Sequence, residues 1–121
     1  MRNSVRALIV AAALGVAATT TQAAIADDFS GHRQIMSGDY AAAEKLLVDQ
    51  LRQFPSDADL AINLAAVYVH QGRISEARAL YNRVMAHPND LLDIDADHSI
   101  WSHDAAIAGL ARISRYQVTV R

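Results

Sequence analysis

The stretch GRISEARALYNRVM, Gly72–Met85, repeats the pattern of GDYAAAEKLLVDQL, Gly38–Leu51, at an offset of 34 residues. Gly38 matches Gly72, Tyr40 matches Ile74, Ala43 matches Ala77, Leu46 matches Leu80, Leu47 matches Tyr81 and Leu51 matches Met85. A fixed period of this size marks a supersecondary unit that is copied and stacked. Inside each copy the apolar residues fall at helical spacing: Ala43, Leu46, Leu47 and Leu51 in the first, Ala77, Leu80, Tyr81, Val84 and Met85 in the second. Such recurrence gives each helix one apolar stripe, and the small Ala43 and Ala77 leave room for a partner helix to come close. Between the copies runs FPSDADLAINLAAVYVHQG, in which Pro55 ends one helix, Ser56 is expected to cap the next with Asp59 three residues on, and Gly72 stops it. The unit reads as helix, turn, helix.

Leu64, Ala65, Tyr68, Gly72, Ala77, Tyr81 and Pro88 together resemble the spaced signature of the tetratricopeptide repeat. The likeness covers residues 58–91 well, with Pro88 one place early. Over 24–57 it holds in the back half, through Gly38, Ala43, Leu47 and Pro55, whereas Ser30 and Gln34 stand where leucine and tyrosine are usual. The front helix of the first unit is therefore expected to be irregular or shifted in register. The resemblance implies a mainly α fold with two helix-turn-helix repeats of a right-handed α-solenoid, to which the residues that follow add a short β-hairpin or loop and a C-terminal capping helix. It also implies a partner-binding inner face at Asp59, Ile62, Ala66, Val69 and His70, with Asn63 beside them. Asn63 stands where related repeats that grip a peptide's terminal carboxylate use an asparagine. Asp28 and His32 occupy the places where lysine and asparagine would complete that clamp, so Asn63 is better read as a hydrogen-bonder between adjacent units.

Two such units cannot cover their own ends. SHDAAIAGLARISRYQ, from Ser102, supplies a capping helix with Ala106, Ile107, Leu110, Ile113 and Tyr116 on one face, Ser102 or His103 as its cap and Asp104 in its first turn. Arg112 and Arg115 near its end suit the helix dipole.

DIDADHSIWSHD, Asp93–Asp104, lies before that helix and invites a metal reading. Asp93, Asp95, Asp97, Ser99 and Asp104 stand at positions 1, 3, 5, 7 and 12 of a calcium loop, with Ile100 at the apolar eighth. The glycine that such a loop needs at position 6 is His98, and Asp104 is a methylene shorter than the usual glutamate. Two short strands around a turn of aspartates explain LLDIDADHSIWS with less strain. His98 and His103 with Asp97 and Asp104 lack the spacing of a zinc site on one helix face. Trp101 is expected to wedge the loop against a helix. The metal assignment is thus none, and no cofactor is implied.

Residues 1–26 read as a leader. Arg2 and Arg6 precede the uncharged run ALIVAAALGVAA, and Ala24 and Ala26 flank Ile25. Twelve helical residues reach about 18 Å, short of a hydrocarbon core about 30 Å thick. Cleavage is expected after Ala26, which leaves nine Lys and Arg against thirteen Asp and Glu, a net charge of minus four. No membrane span is then expected, and an alanine-rich leader points to a bacterial protein exported to the periplasm or secreted. With no cysteine, an exported chain has neither disulfides nor a lipidated N-terminal cysteine and rests on its apolar core.

The expected organisation is a signal peptide at 1–26, a degenerate first repeat at 27–57, a second at 58–91, and a hairpin or loop with a capping helix at 92–121. The chain is 52% apolar with a formal charge of only −2, and it carries no basic block of the kind that binds nucleic acid. It shows no nucleophile elbow, phosphate loop or dinucleotide motif, so no catalytic residues are assigned and no enzyme is expected. The function expected is a protein or peptide interaction module, an adaptor or scaffold in the cell envelope. A self-associating subunit, a homo-oligomer, is the alternative, with a calcium module behind it.

Overall fold

A computed structural model describes residues 30–119; the leader reading lies outside the described residues. Five helices and one hairpin follow in order: α1 (His32–Met36), α2 (Tyr40–Gln53), α3 (Ala58–His70), α4 (Ile74–Ala86), β1 (Leu91–Asp95), β2 (His98–Trp101) and α5 (Ser102–Thr119). The fold is mainly α, with two helical hairpins stacked side by side and closed by a small antiparallel sheet and a last helix.

The 34-residue offset is visible in the backbone. α2 starts at Tyr40 and α4 at Ile74, and the turn before each holds a glycine in the left-handed region, φ 77° at Gly38 and 75° at Gly72, where a β-carbon is penalised. Ala43 and Ala77 are both fully buried, and so are Leu47 and Tyr81 in essence. The copies diverge at their ends, because Leu51 is buried whereas Met85 is on the surface. α1 has only five residues, the short front helix that Ser30 and Gln34 foreshadow.

α3 is packed by α2 on one side and α4 and α5 on others. It therefore buries residues almost all round, including Leu60, Ala61, Leu64, Ala65, Val67 and Tyr68, while α2 and α4 bury one stripe each. This is how a helix in the middle of a stack differs from one on its surface. α2 and α3 are capped by Asp39 and Asp57, whose carboxylates accept from the Ala42 and Leu60 amides at 3.1 Å each. The cap of α3 is thus Asp57 and not Ser56, with Asp59 in the first turn. An aspartate one residue further on has the reach to meet the third amide.

The segment after α4 forms the hairpin. Leu91 pairs with Trp101, Leu92 with Ile100 and Asp93 with Ser99, and a register shift brings Asp95 opposite His98. The Asp95 carboxylate accepts from the Asp97 amide at 3.0 Å and lies 2.7 Å from His98 Nδ1, the side-chain-to-backbone closure that makes aspartate a turn former. Trp101 is 48% exposed: the tryptophan lies on the outer side of the sheet with about half of its surface open, where the sequence suggests a full wedge.

α5 caps the stack through Ala106, Leu110 and Ile113 of the expected face, with Ser102 and Gly109 added and Ile107 and Tyr116 left outside. Ser102, Ala106, Gly109 and Ile113 are buried, whereas Ile107 and Tyr116 are exposed. Gly109 decides the rotation. A β-carbon there would lie 2.3 Å from Cζ of Tyr81, so the tyrosine ring occupies the space a side chain at 109 would need and the helix packs against it through bare backbone. The helix start is also held from a distance. Asn89 Oδ1 accepts from the His103 amide at 3.0 Å and the Ser102 hydroxyl at 3.3 Å. The buried Ser102 hydroxyl accepts from the Asp90 amide at 2.9 Å, and Asp90 O accepts from the Ser102 amide at 2.7 Å. Neither Ser102 nor His103 is the cap; Asn89 is, across the base of the hairpin.

Candidate functional site

A groove of about 950 Å³ opens between α1, α3, α5 and the hairpin. Its α3 floor carries Asp59, Ile62, Asn63 and Ala66, successive positions on one helix face. α1 contributes His32, Arg33 and Met36, α5 contributes Ala105, Ala108 and Arg112, and the hairpin adds Leu92, Ile94 and Ile100 as a wall. Met36 and Ile94 are large, apolar and exposed.

Of the six inner-face residues named from the sequence, Asp59, Ile62, Asn63 and Ala66 line this groove. Val69 is partly buried against the core, and His70 stacks on Tyr40 with ring centroids 4.6 Å apart and an interplanar angle of 9°. The His70 ring thus belongs to the seam between the first and second units. Asn63 donates to the Ser30 carbonyl at 3.2 Å and lies 3.5 Å from Asp59 Oδ1, so it ties α3 to the turn before α1. Burial raises the Asp59 carboxyl above its usual value of 3.8, and the neighbouring Asp57 adds to the rise while His32 opposes it.

A second polar cluster fastens the seam on the opposite edge. Arg73 lies 2.5 Å from Glu44 Oε1 and 2.5 Å from Glu76 Oε2, with its guanidinium 4.1 Å above the Tyr68 ring. Gln71 donates to Glu44 at 3.1 Å. These contacts, the Arg73 guanidinium first and the Gln71 amide second, hold the Glu44 carboxyl below its usual range. The arrangement bridges α2 of one unit to the α3–α4 turn of the next.

The aspartates of the hairpin are engaged locally. Asp93 accepts from the Ser99 hydroxyl at 3.0 Å, Asp95 is held below its usual range by the Asp97 amide and then His98, and Asp104 lies in the first turn of α5. Among the described residues no group of three or more His, Asp or Glu is gathered to hold a metal ion. No described helix is long and apolar enough to cross a membrane.

The hairpin and α5 contributions to the groove were not assigned from the sequence. Leu92, Ile94 and Ile100 share one strand face by alternation, which is a signal, but nothing in the spacing says that this face turns towards α3. A family model of the tetratricopeptide repeat matches residues 34–97, just over half of the chain. No curated protein and no solved structure matches it.

Proposed function

The chain belongs to the tetratricopeptide repeat family, and on that premise we propose that its groove receives a segment of another protein, the chain acting as a non-catalytic adaptor or scaffold of the cell envelope. Members of this family generally bind protein partners. The observation that carries the reading is the groove itself: apolar Met36, Ile62, Ala66 and Ile94 lie beside polar Asp59, Asn63 and Arg112, the mixture that orients a bound chain while burying part of it. The short solenoid is deepened by the hairpin wall. Envelope location is supported by the leader pattern of residues 1–26, and N-terminal sequencing of the secreted or periplasmic protein is expected to begin at Asp27.

Ala66→Glu places a charge in the groove on a helix that tolerates glutamate well. Capture from envelope extract with wild-type and Ala66→Glu protein should lose the specific partner in the variant; identical partners with both would remove the groove from the account. A second reading, self-association, draws on the outward side of α5, where Ile107 and Val118 are 52% and 78% exposed. Light scattering at rising concentration decides it, since a strict monomer contradicts that reading.

A further inference from the structure

The hairpin has a second face, turned away from the groove, that the groove does not use. Leu91 and Trp101 form a cross-strand pair and are 55% and 48% exposed. The Leu92–Ile100 pair borders the groove instead, and the Asp93–Ser99 pair returns to the outward side, Asp93 also edging the groove. Side chains alternate along a strand, so the outward face runs from an apolar pair at the base to carboxylates towards the tip. Between Arg83 and Arg112 the chain holds five aspartates and not one lysine or arginine. The His98 ring lies against one of them, 2.7 Å from Asp95 Oδ1, and the stretch itself offers the others no lysine or arginine. The face is also firmly placed, because Asn89, Asp90 and Ser102 close its base with hydrogen bonds of 2.7 to 3.3 Å.

We propose that this outward face is a docking surface for a cationic protein segment, one in which an aliphatic or aromatic residue seats against Leu91 and Trp101 and is followed by lysine or arginine. At about 3.4 Å per strand residue, Asp93 lies about 7 Å along the hairpin from Leu91, which sets the distance from the partner's apolar residue to its first charge. A cation also gains from the exposed indole face. Charge complementarity selects this occupant over the others: a second copy would bring the same carboxylates against its own, and an anionic lipid surface or a nucleic acid would be repelled for the same reason. The surface meets the groove only at Asp93, and its apolar pair stands whether or not the groove binds.

Trp101 is the chain's one tryptophan, so its emission reports this face alone. The full chain is titrated with a synthetic peptide repeating Leu-Thr-Lys-Thr and, separately, with its Leu-Thr-Glu-Thr counterpart. The lysine peptide should shift Trp101 emission to the blue, saturably, and shield it from acrylamide, and added salt should weaken the effect. Asp93→Asn with Asp97→Asn, both of which keep the turn's hydrogen-bond geometry, should raise the Kd about tenfold at low ionic strength. Ala66→Glu, in the groove, should leave the response unchanged, which separates this surface from the groove reading. Equal responses to the two peptides, no saturable response to either, or an undiminished response in the folded asparagine variant would each overturn the proposal.

Discussion

Replacing Gly109 by alanine sets two well-measured effects against each other. Glycine to alanine in a helix interior gains about 1 kcal/mol from propensity, so a helix that merely lay on the surface would be stabilised. Here the new β-carbon would meet Cζ, Cε1 and Cε2 of Tyr81 at 2.3, 2.6 and 2.7 Å, where carbon atoms pack at about 3.5–4.0 Å. Tyr81 is 3% exposed, so its ring has no free space to enter and α5 must retreat by more than about 1 Å. Overpacking of that kind costs about 1–3 kcal/mol, and the depth of this overlap puts it at the upper end. The expected net is a destabilisation of about 1–2 kcal/mol, or a Tm lower by about 4–16 °C for a domain of this size. The assay is thermal and urea unfolding of four proteins: wild type, Gly109→Ala, Tyr81→Leu and the double variant. With the ring gone the alanine should be accepted, giving a coupling of about 1 kcal/mol or more. A higher Tm for Gly109→Ala alone, or additivity in the cycle, would refute the docking of α5 on Tyr81.

Asn89→Ala removes the distant cap of α5 and should cost about 1 kcal/mol, read by urea unfolding, with faster amide exchange at His103. Ser102→Val leaves the Asp90 amide without the hydroxyl acceptor it now uses in a buried position and should cost about 1–3 kcal/mol by the same measurement. Glu44 has a depressed folded pKa, so its contribution is present above the usual carboxylate value of 4.5 and is lost as pH falls through its lower folded value; Glu44→Gln should flatten that part of the acid-unfolding profile. Asp59 has the opposite sign: its raised folded pKa gives stability that is full below 3.8 and lost as pH rises through the folded value. Asp59→Asn should therefore gain on wild type at neutral pH and lose that gain in acid.

What the sequence discloses and what it withholds follow from the range of each interaction. The repeat is legible because its marks are local: Gly38 and Gly72 each serve a turn beside them, and Ala43 and Ala77 each sit on the stripe of their own helix. The α1 irregularity is legible for the same reason, from Ser30 and Gln34. The Asn89 cap is not, because the groups it serves lie thirteen and fourteen residues away, beyond any spacing rule for helix starts. On α5, Ala106, Leu110 and Ile113 are legible as the covered face, but Ile107 and Tyr116 are not covered and Gly109, which carries no apolar bulk to count, is what the Tyr81 ring touches. Trp101 was placed inside for a related reason: alternation says which residues share a face of the hairpin, and only the packing of α3 and α5 says which face is covered. At the site, four of the six α3 positions border the groove because a single helix face fixes them. Val69 packs against the core, and His70 turns into the seam, where Tyr40 lies within stacking distance.

The stack depends most on the seam between the two helical units and on the last helix that closes it. A proton Overhauser spectrum of the full-length protein tests both at once. It should show cross-peaks between the Tyr40 and His70 rings, 4.6 Å apart, and between the Tyr81 ring and the Gly109 α-protons, with those protons shifted upfield by the ring. A folded, well-dispersed spectrum lacking both sets of cross-peaks would contradict the stacked arrangement and the groove built on it.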